Sequence, residues 1–179
     1  MFTLSRARVL GSAGALTLAA PLLAPRLALA APKTDPNDLK LLAAALALER
    51  AEIKAYGNAI ATNGLLSAPV SAVLTSFVAD HSAHRDTLIA ELAKAGVPAT
   101  DDVAPLTLPE LHAEADVLAM AYTLERQIAA SYLGAVAQYA SRDLTATAAS
   151  ILGVETAHVA LLAEALRRWP AYPGGFVTA

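Results

Sequence analysis

The chain has no cysteine. That excludes disulfides, thiolate metal ligands and a cysteine nucleophile, so stability has to come from packing. Strand formers are scarce and scattered, which argues against a sheet. No glycine-rich phosphate loop is present, because Gly11-Ser-Ala-Gly14 falls inside the N-terminal apolar segment. The serines and histidines are not spaced like a catalytic triad. Alanine and leucine are abundant, a composition suited to closely packed helices.

Residues 1–30 read as an export signal. Arg6 and Arg8 form a basic region, Val9 to Leu23 an apolar core, and Ala28-Leu-Ala30 a small-x-small cleavage pattern before Ala31. Ser5-Arg-Ala-Arg8 resembles a twin-arginine signal with Ala7 between the arginines, so both twin-arginine and general secretion stay open. Pro21, Pro25 and Arg26 interrupt the apolar run short of a comfortable span. Membrane contact is therefore expected only during export, with the periplasm, envelope or exterior as destination. From Ala31 onward, ten basic residues face sixteen acidic ones, a net charge of −6. No basic patch survives, which argues against nucleic acid and anionic membranes as partners.

The chain from Ala31 has the length of one domain. Asp35-Pro-Asn-Asp38 is a helix start, with Asp35 as cap and Pro36 in the first turn. A first helix is expected over 36–61, closed by Asn63-Gly64. A second starts at Ser67-Ala-Pro-Val and ends near Ala95, before Gly96 and Pro98. Residues 97–107 have no periodicity; at about 3.3 Å per extended residue they reach about 36 Å, the length of a bundle. Thr107-Leu-Pro-Glu110 has a capping-box pattern, which predicts a third helix from there to about Tyr139. A fourth is expected from a cap at Asp143 to Arg168 or Trp169. Gly153 weakens it and is expected to let a neighbouring helix approach closely. Residues 31–169 thus read as an all-α four-helix bundle with one long crossover between the second and third helices. Residues 170–179 read as an irregular tail, with Trp169, Tyr172 and Phe176 expected to fold back on the bundle or on a partner subunit.

The two halves repeat. The first helix carries Leu48-Glu49-Arg50 and the third Leu124-Glu125-Arg126, each glutamate followed seven residues later by a tyrosine, Tyr56 and Tyr132. The second carries His81-Ser-Ala-His84 and the fourth Glu155-Thr-Ala-His158. Side chains three apart leave the same helical face. A duplicated helical hairpin packing about an approximate two-fold axis brings Glu49, Glu125, His84 and His158 together, with His81 and Glu155 one turn away. Glutamates inside an apolar bundle are costly unless paired or metal-bound, and oxygen and imidazole donors suit iron, manganese or zinc.

These residues and their order resemble the ferritin-like superfamily over essentially all of 36–168, including bacterioferritin and small exported ferritin-like domain proteins of bacteria. The resemblance implies a ferritin-like four-helix bundle with a di-iron or manganese centre, zinc being the alternative. By that pattern Glu49 and Glu125 are terminal carboxylates, Glu155 a bridging carboxylate, and His84 and His158 nitrogen ligands. Tyr56 corresponds to a tyrosine beside the metals, able to donate an electron. The chain departs from the pattern at His81, where the family has a second bridging glutamate. Asp80 is turned about 100° away on the helix and cannot bridge without a bulge. The expected set is three carboxylates and three imidazoles, His81 serving as a ligand or as a hydrogen-bonded core histidine. Glu52, Glu91, Glu114 and Glu164 are expected to be solvated or in weak helix pairs, and His112 exposed. Met120 does not match a heme-ligating methionine, so no heme is expected. With no fifth helix, a monomer or homodimer is expected rather than a cage. The implied activity is oxidation of Fe(II), or protection against oxidants. The alternative is a non-catalytic helical domain with a degenerate metal site, acting in structure or protein binding.

Overall fold

The computed structural model describes residues 34–168, all of whose regular structure is helical: α1 Pro36–Ala61, α2 Ala68–Lys94, α3 Glu114–Val136 and α4 Arg142–Ala165. The export-signal residues 1–30 lie outside the described residues, as do Trp169, Tyr172 and Phe176. α1 packs mainly on α2 and α3 mainly on α4, and α1–α3 and α2–α4 contacts close the bundle.

The helix boundaries follow local chemistry. Asp35 accepts from Asn37 N at 2.7 Å and starts α1. Gly96, at φ +74°, ends α2, and Val97 N returns to Leu92 O at 3.0 Å; glycine takes this left-handed conformation without a Cβ clash. The third helix starts later than its sequence pattern predicts. The Asp116 carboxylate collects the N–H groups of His112 and Ala113 at 3.0 and 2.9 Å, so α3 begins at Glu114 and not at Thr107-Leu-Pro-Glu110. The crossover is correspondingly longer. It is pinned to α1 by Ala104 N bonding Ala47 O at 2.9 Å and by Arg50 bonding Thr100 O and pairing with Asp101. α4 is capped by Ser141, which accepts from Leu144 N, and not by Asp143. It ends at Ala165, short of Arg168, because Arg167 adopts φ +53° and Arg168 N turns back to Ala163 O. Gly153 has open space where a Cβ would stand, so the close approach of a neighbouring helix expected there is not made.

Asp38 ties the hairpins together. It is 1% exposed, and its two oxygens accept from Ala140 N and Ser141 N at 2.8 and 3.1 Å. A carboxylate of α1 thus satisfies backbone donors at the α3–α4 turn.

Two apolar clusters fill the bundle. One contains Leu42, Leu46, Leu88, Leu92, Ile128 and Ile151. The other contains Leu74, Phe77, Val117, Met120, Leu124 and Leu162. On every helix a polar layer falls between them: Glu49 and Glu52, His81 and His84, Glu125, Glu155 and His158, all buried.

Candidate metal centre

Each helix contributes to the polar layer through residues three apart or through one glutamate, as helical geometry dictates. Glu49, His81, Glu125 and Glu155 are each 0% exposed. The tyrosines connect the hairpins crosswise. Tyr132 on α3 donates to Glu49 Oε1 on α1 at 2.5 Å, and Tyr56 on α1 donates to Glu125 Oε1 on α3 at 2.6 Å. The two-fold relation read from the repeat is present in these reciprocal bonds.

His81 lies in the middle. Its Nδ1 is 2.8 Å from Glu49 Oε2 and 3.7 Å from Glu155 Oε1. Its Nε2 is 3.2 Å from Glu125 Oε1 and 3.1 Å from Glu52 Oε2. Glu155 spans the layer from the opposite side. Its Oε1 is 2.9 Å from His84 Nδ1 and its Oε2 is 3.5 Å from His158 Nδ1, yet neither oxygen has an aligned hydrogen bond. His158 Nδ1 also faces Glu125 Oε2 at 3.3 Å, while Phe77 stacks on its ring at 3.8 Å.

Asp80 does not reach between these groups. It is half exposed and lies 3.1 Å from His158 Nε2. In the neutral ring, a proton on Nε2 facing Asp80 leaves Nδ1 for the centre, the role outer carboxylates have beside metal-bound histidines.

Glu52 was expected at the surface and is not there. It is 2% exposed, and the carboxylate total is four rather than three. Arg50 and Lys54 beside it suggest a charged face, but Glu52 is three residues after Glu49 and four before Tyr56, on their shared inward stripe. That spacing was the available signal. His112 is exposed, as expected, and faces Glu110.

The electrostatics reflect seven ionisable groups held out of water. Burial pulls His81 down, but hydrogen bonds to Glu125 and Glu49 outweigh it and lift it to about 11. Burial likewise opposes, and carboxylate partners outweigh it, at His84 (about 9) and His158 (about 10). Burial raises Glu52 well above the ordinary range, reinforced by Glu125, and raises Glu155. Glu49 and Glu125 go the other way: their histidine partners overcome burial and hold them low. Burial and the neighbouring glutamates keep the Tyr56 and Tyr132 hydroxyls protonated, as their donor roles require.

Two overlapping donor sets result. Glu49, His81, His84 and Glu155 form one, and His81, Glu125, Glu155 and His158 the other; within each, the donor atoms lie within 4.8 Å of one another. His81 and Glu155 belong to both. Oxygen and imidazole donors of this kind fit first-row divalent metals. The buried atoms without aligned partners, both oxygens of Glu155, Glu52 Oε2 and His84 Nδ1, are what a cation would satisfy.

The ferritin-like domain model matches residues 37–168. The chain belongs to the ferritin-like domain family. Solved structures agree with the fold. A conserved hypothetical protein from Mycobacterium tuberculosis superposes with TM-score 0.65 at 26% identity, covering 74% of this chain and 92% of that one. A ferritin-like diiron-carboxylate protein from Bacillus anthracis gives 0.64 at 20% identity, with 73% and 95% covered. Rhodobacter capsulatus bacterioferritin, in a structure with a metal-free dinuclear site and heme iron, gives 0.63 at 18% identity, with 75% and 86% covered. No curated protein matches the chain. This ferritin-like domain carries its buried glutamates and histidines on all four helices, in two sets that can hold metal.

Proposed function

We propose that this ferritin-like protein is exported, binds two divalent ions, iron or manganese, in its polar layer, and oxidises Fe(II) there. The observation that carries the reading is the pair of overlapping buried donor sets sharing His81 and Glu155. Iron held there by the glutamates and histidines of the two sets would supply one-electron redox chemistry, with dioxygen or peroxide as the oxidant. Glu49 and Glu125 stay ionised to neutralise the cations. Tyr132 and Tyr56 hold one oxygen of each in place, and Tyr56, bonded to Glu125, is the candidate donor of a further electron. Two apolar clusters above and below the layer exclude water from it. Export rests on the basic–apolar–small pattern of residues 1–30.

A second reading has one observation in its favour. The ring nitrogens of His81 bond Glu49 and Glu125, so protonated imidazoles balance part of the carboxylate charge without metal. The domain would then act in structure or protein binding. Elemental analysis of the full chain, purified without chelators and reconstituted with Fe(II), Mn(II) or Zn(II), separates the two. Two equivalents per chain support the dinuclear reading. No bound metal on a fully helical protein refutes it in favour of the second.

A further inference from the structure

Two positions break the two-fold relation between the hairpins, and they touch. Glu49 and Glu125 are 76 positions apart, and the same step from Glu52 reaches Ile128, a core residue with no polar side-chain atom. His84 and His158 are 74 apart, and the same step from His81 reaches Glu155. The first hairpin therefore has a carboxylate where the second has an isoleucine, and an imidazole where the second has a carboxylate. His81 Nε2 and Glu52 Oε2 are 3.1 Å apart. Taken together, the two exchanges leave four carboxylates in the centre, the number that a glutamate at position 81 would have given without Glu52.

Within the layer Glu52 faces His81, its Oε2 3.1 Å from Nε2. It is 2% exposed, its Oε2 has no aligned hydrogen bond, and it points into the layer beside His81. An ionised carboxylate so placed has a burial cost that the facing His81 ring or a bound metal ion can offset. The two nitrogens of His81 face different donors, Nδ1 toward Glu49 and Glu155, Nε2 toward Glu125 and Glu52. Glu52 is therefore on the Glu125 side.

We infer that Glu52 is a metal ligand, supplying from α1 the carboxylate that α2 lacks at position 81, to the ion on the Glu125 side of His81. The inference rests on the dinuclear reading above. It makes the centre asymmetric: α1 provides two carboxylates and α2 two imidazoles, while α3 and α4 keep the pattern of one glutamate and one Glu-x-x-His.

The test is Mn(II) binding to the full chain by equilibrium dialysis with elemental analysis. Co(II) absorption serves as a spectroscopic check and circular dichroism as a check on folding. Wild type is compared with Glu52→Gln, which keeps shape and removes charge, and with Glu52→Gln combined with His81→Glu, which returns the carboxylate to α2. Wild type should bind two ions. Glu52→Gln should keep one and bind the second at least about tenfold more weakly, with an altered Co(II) spectrum. The double variant should regain two. Two ions bound by Glu52→Gln with unchanged affinity would overturn the inference and leave the dinuclear reading intact. Failure of the double variant to regain the second ion would make the role of Glu52 structural and also overturn it, as would loss of helical content in Glu52→Gln. Fewer than two ions in wild type would overturn both readings.

Discussion

Replacing Glu155 with glutamine should leave the metal-free protein nearly unchanged and remove most of the stability that metal adds. The side chain is fully buried, faces His84 and His158 at 2.9 and 3.5 Å, and has no aligned hydrogen bond at either oxygen. Burial raises its pKa. A carboxyl raised on folding stabilises the native state fully below its unfolded pKa, and that contribution is lost as pH rises through the folded value. Above the unfolded carboxyl range, and so at neutral pH, burying Glu155 is therefore a cost to the metal-free bundle. Glutamine removes that cost, and the facing imidazoles can release protons. Against this, the variant loses a carboxylate that supports the raised His84 and His158, so metal-free Glu155→Gln should lie within about 1 kcal/mol of wild type. The metal-bound protein should lose instead. An ion at 100 to 1,000 times its dissociation constant adds about 2.7 to 4.1 kcal/mol, or about 8 to 16 °C in Tm for a domain of this size. Glu155 belongs to both donor sets, so the variant should keep less than about 3 °C of that gain. Calorimetric melts at pH 7 with and without Mn(II) measure both effects. A metal-free variant melting more than about 6 °C below wild type would refute the reasoning, because it would show Glu155 acting as an essential buried ion-pair partner. A retained metal-induced gain would refute its role in both sets.

Tyr132→Phe and Tyr56→Phe should each cost about 1.5 to 3 kcal/mol by chemical denaturation, since each leaves a buried glutamate oxygen without its hydroxyl donor, and the two costs should be similar because the bonds are two-fold equivalents. Metal-free stability should fall as pH rises: His84, His158 and His81 are raised to about 9, 10 and 11, so their contribution is complete below about 6.5 and is lost as pH passes through those values. Mn(II) affinity should rise over the same window, with proton release visible by titration calorimetry in buffers of different ionisation enthalpy; pH-independent binding would contradict the histidine assignments. Gly153→Ala should raise stability by about 0.5 to 1 kcal/mol in a thermal melt, because the position is helical and a Cβ there meets nothing; a destabilised variant would reveal a contact the fold does not show.

The sequence carried the fold well where chemistry is local. Asp35-Pro36 and Gly96 bound α1 and α2 within a residue of their observed limits, because caps and left-handed glycines act through near neighbours. The start of α3 was misread because Thr107-Leu-Pro-Glu110 has the right pattern, whereas Asp116 takes the backbone donors that decide the boundary. The repeat brought Glu49, His84, Glu125, Glu155 and His158 to one layer, since duplication converts equal sequence depth into spatial proximity. Glu52 escaped for the reverse reason. It has no counterpart in the second half, so a search for matched residues passes over it, and only its place on the Glu49–Tyr56 stripe shows which way it faces. Asp38 escaped too, because its partners Ala140 and Ser141 are about a hundred residues away and are backbone groups without sequence signature.

The crossed tyrosine bonds also order events in time. Each hairpin can form from contacts near in sequence, but the hydroxyl that holds Glu49 comes from α3 and the one that holds Glu125 comes from α1. Neither hairpin alone has a finished half-site. Helices should therefore appear first in refolding, and the capacity to capture a metal ion should lag until the hairpins dock, so the arrival of metal affinity is a clock for that last step.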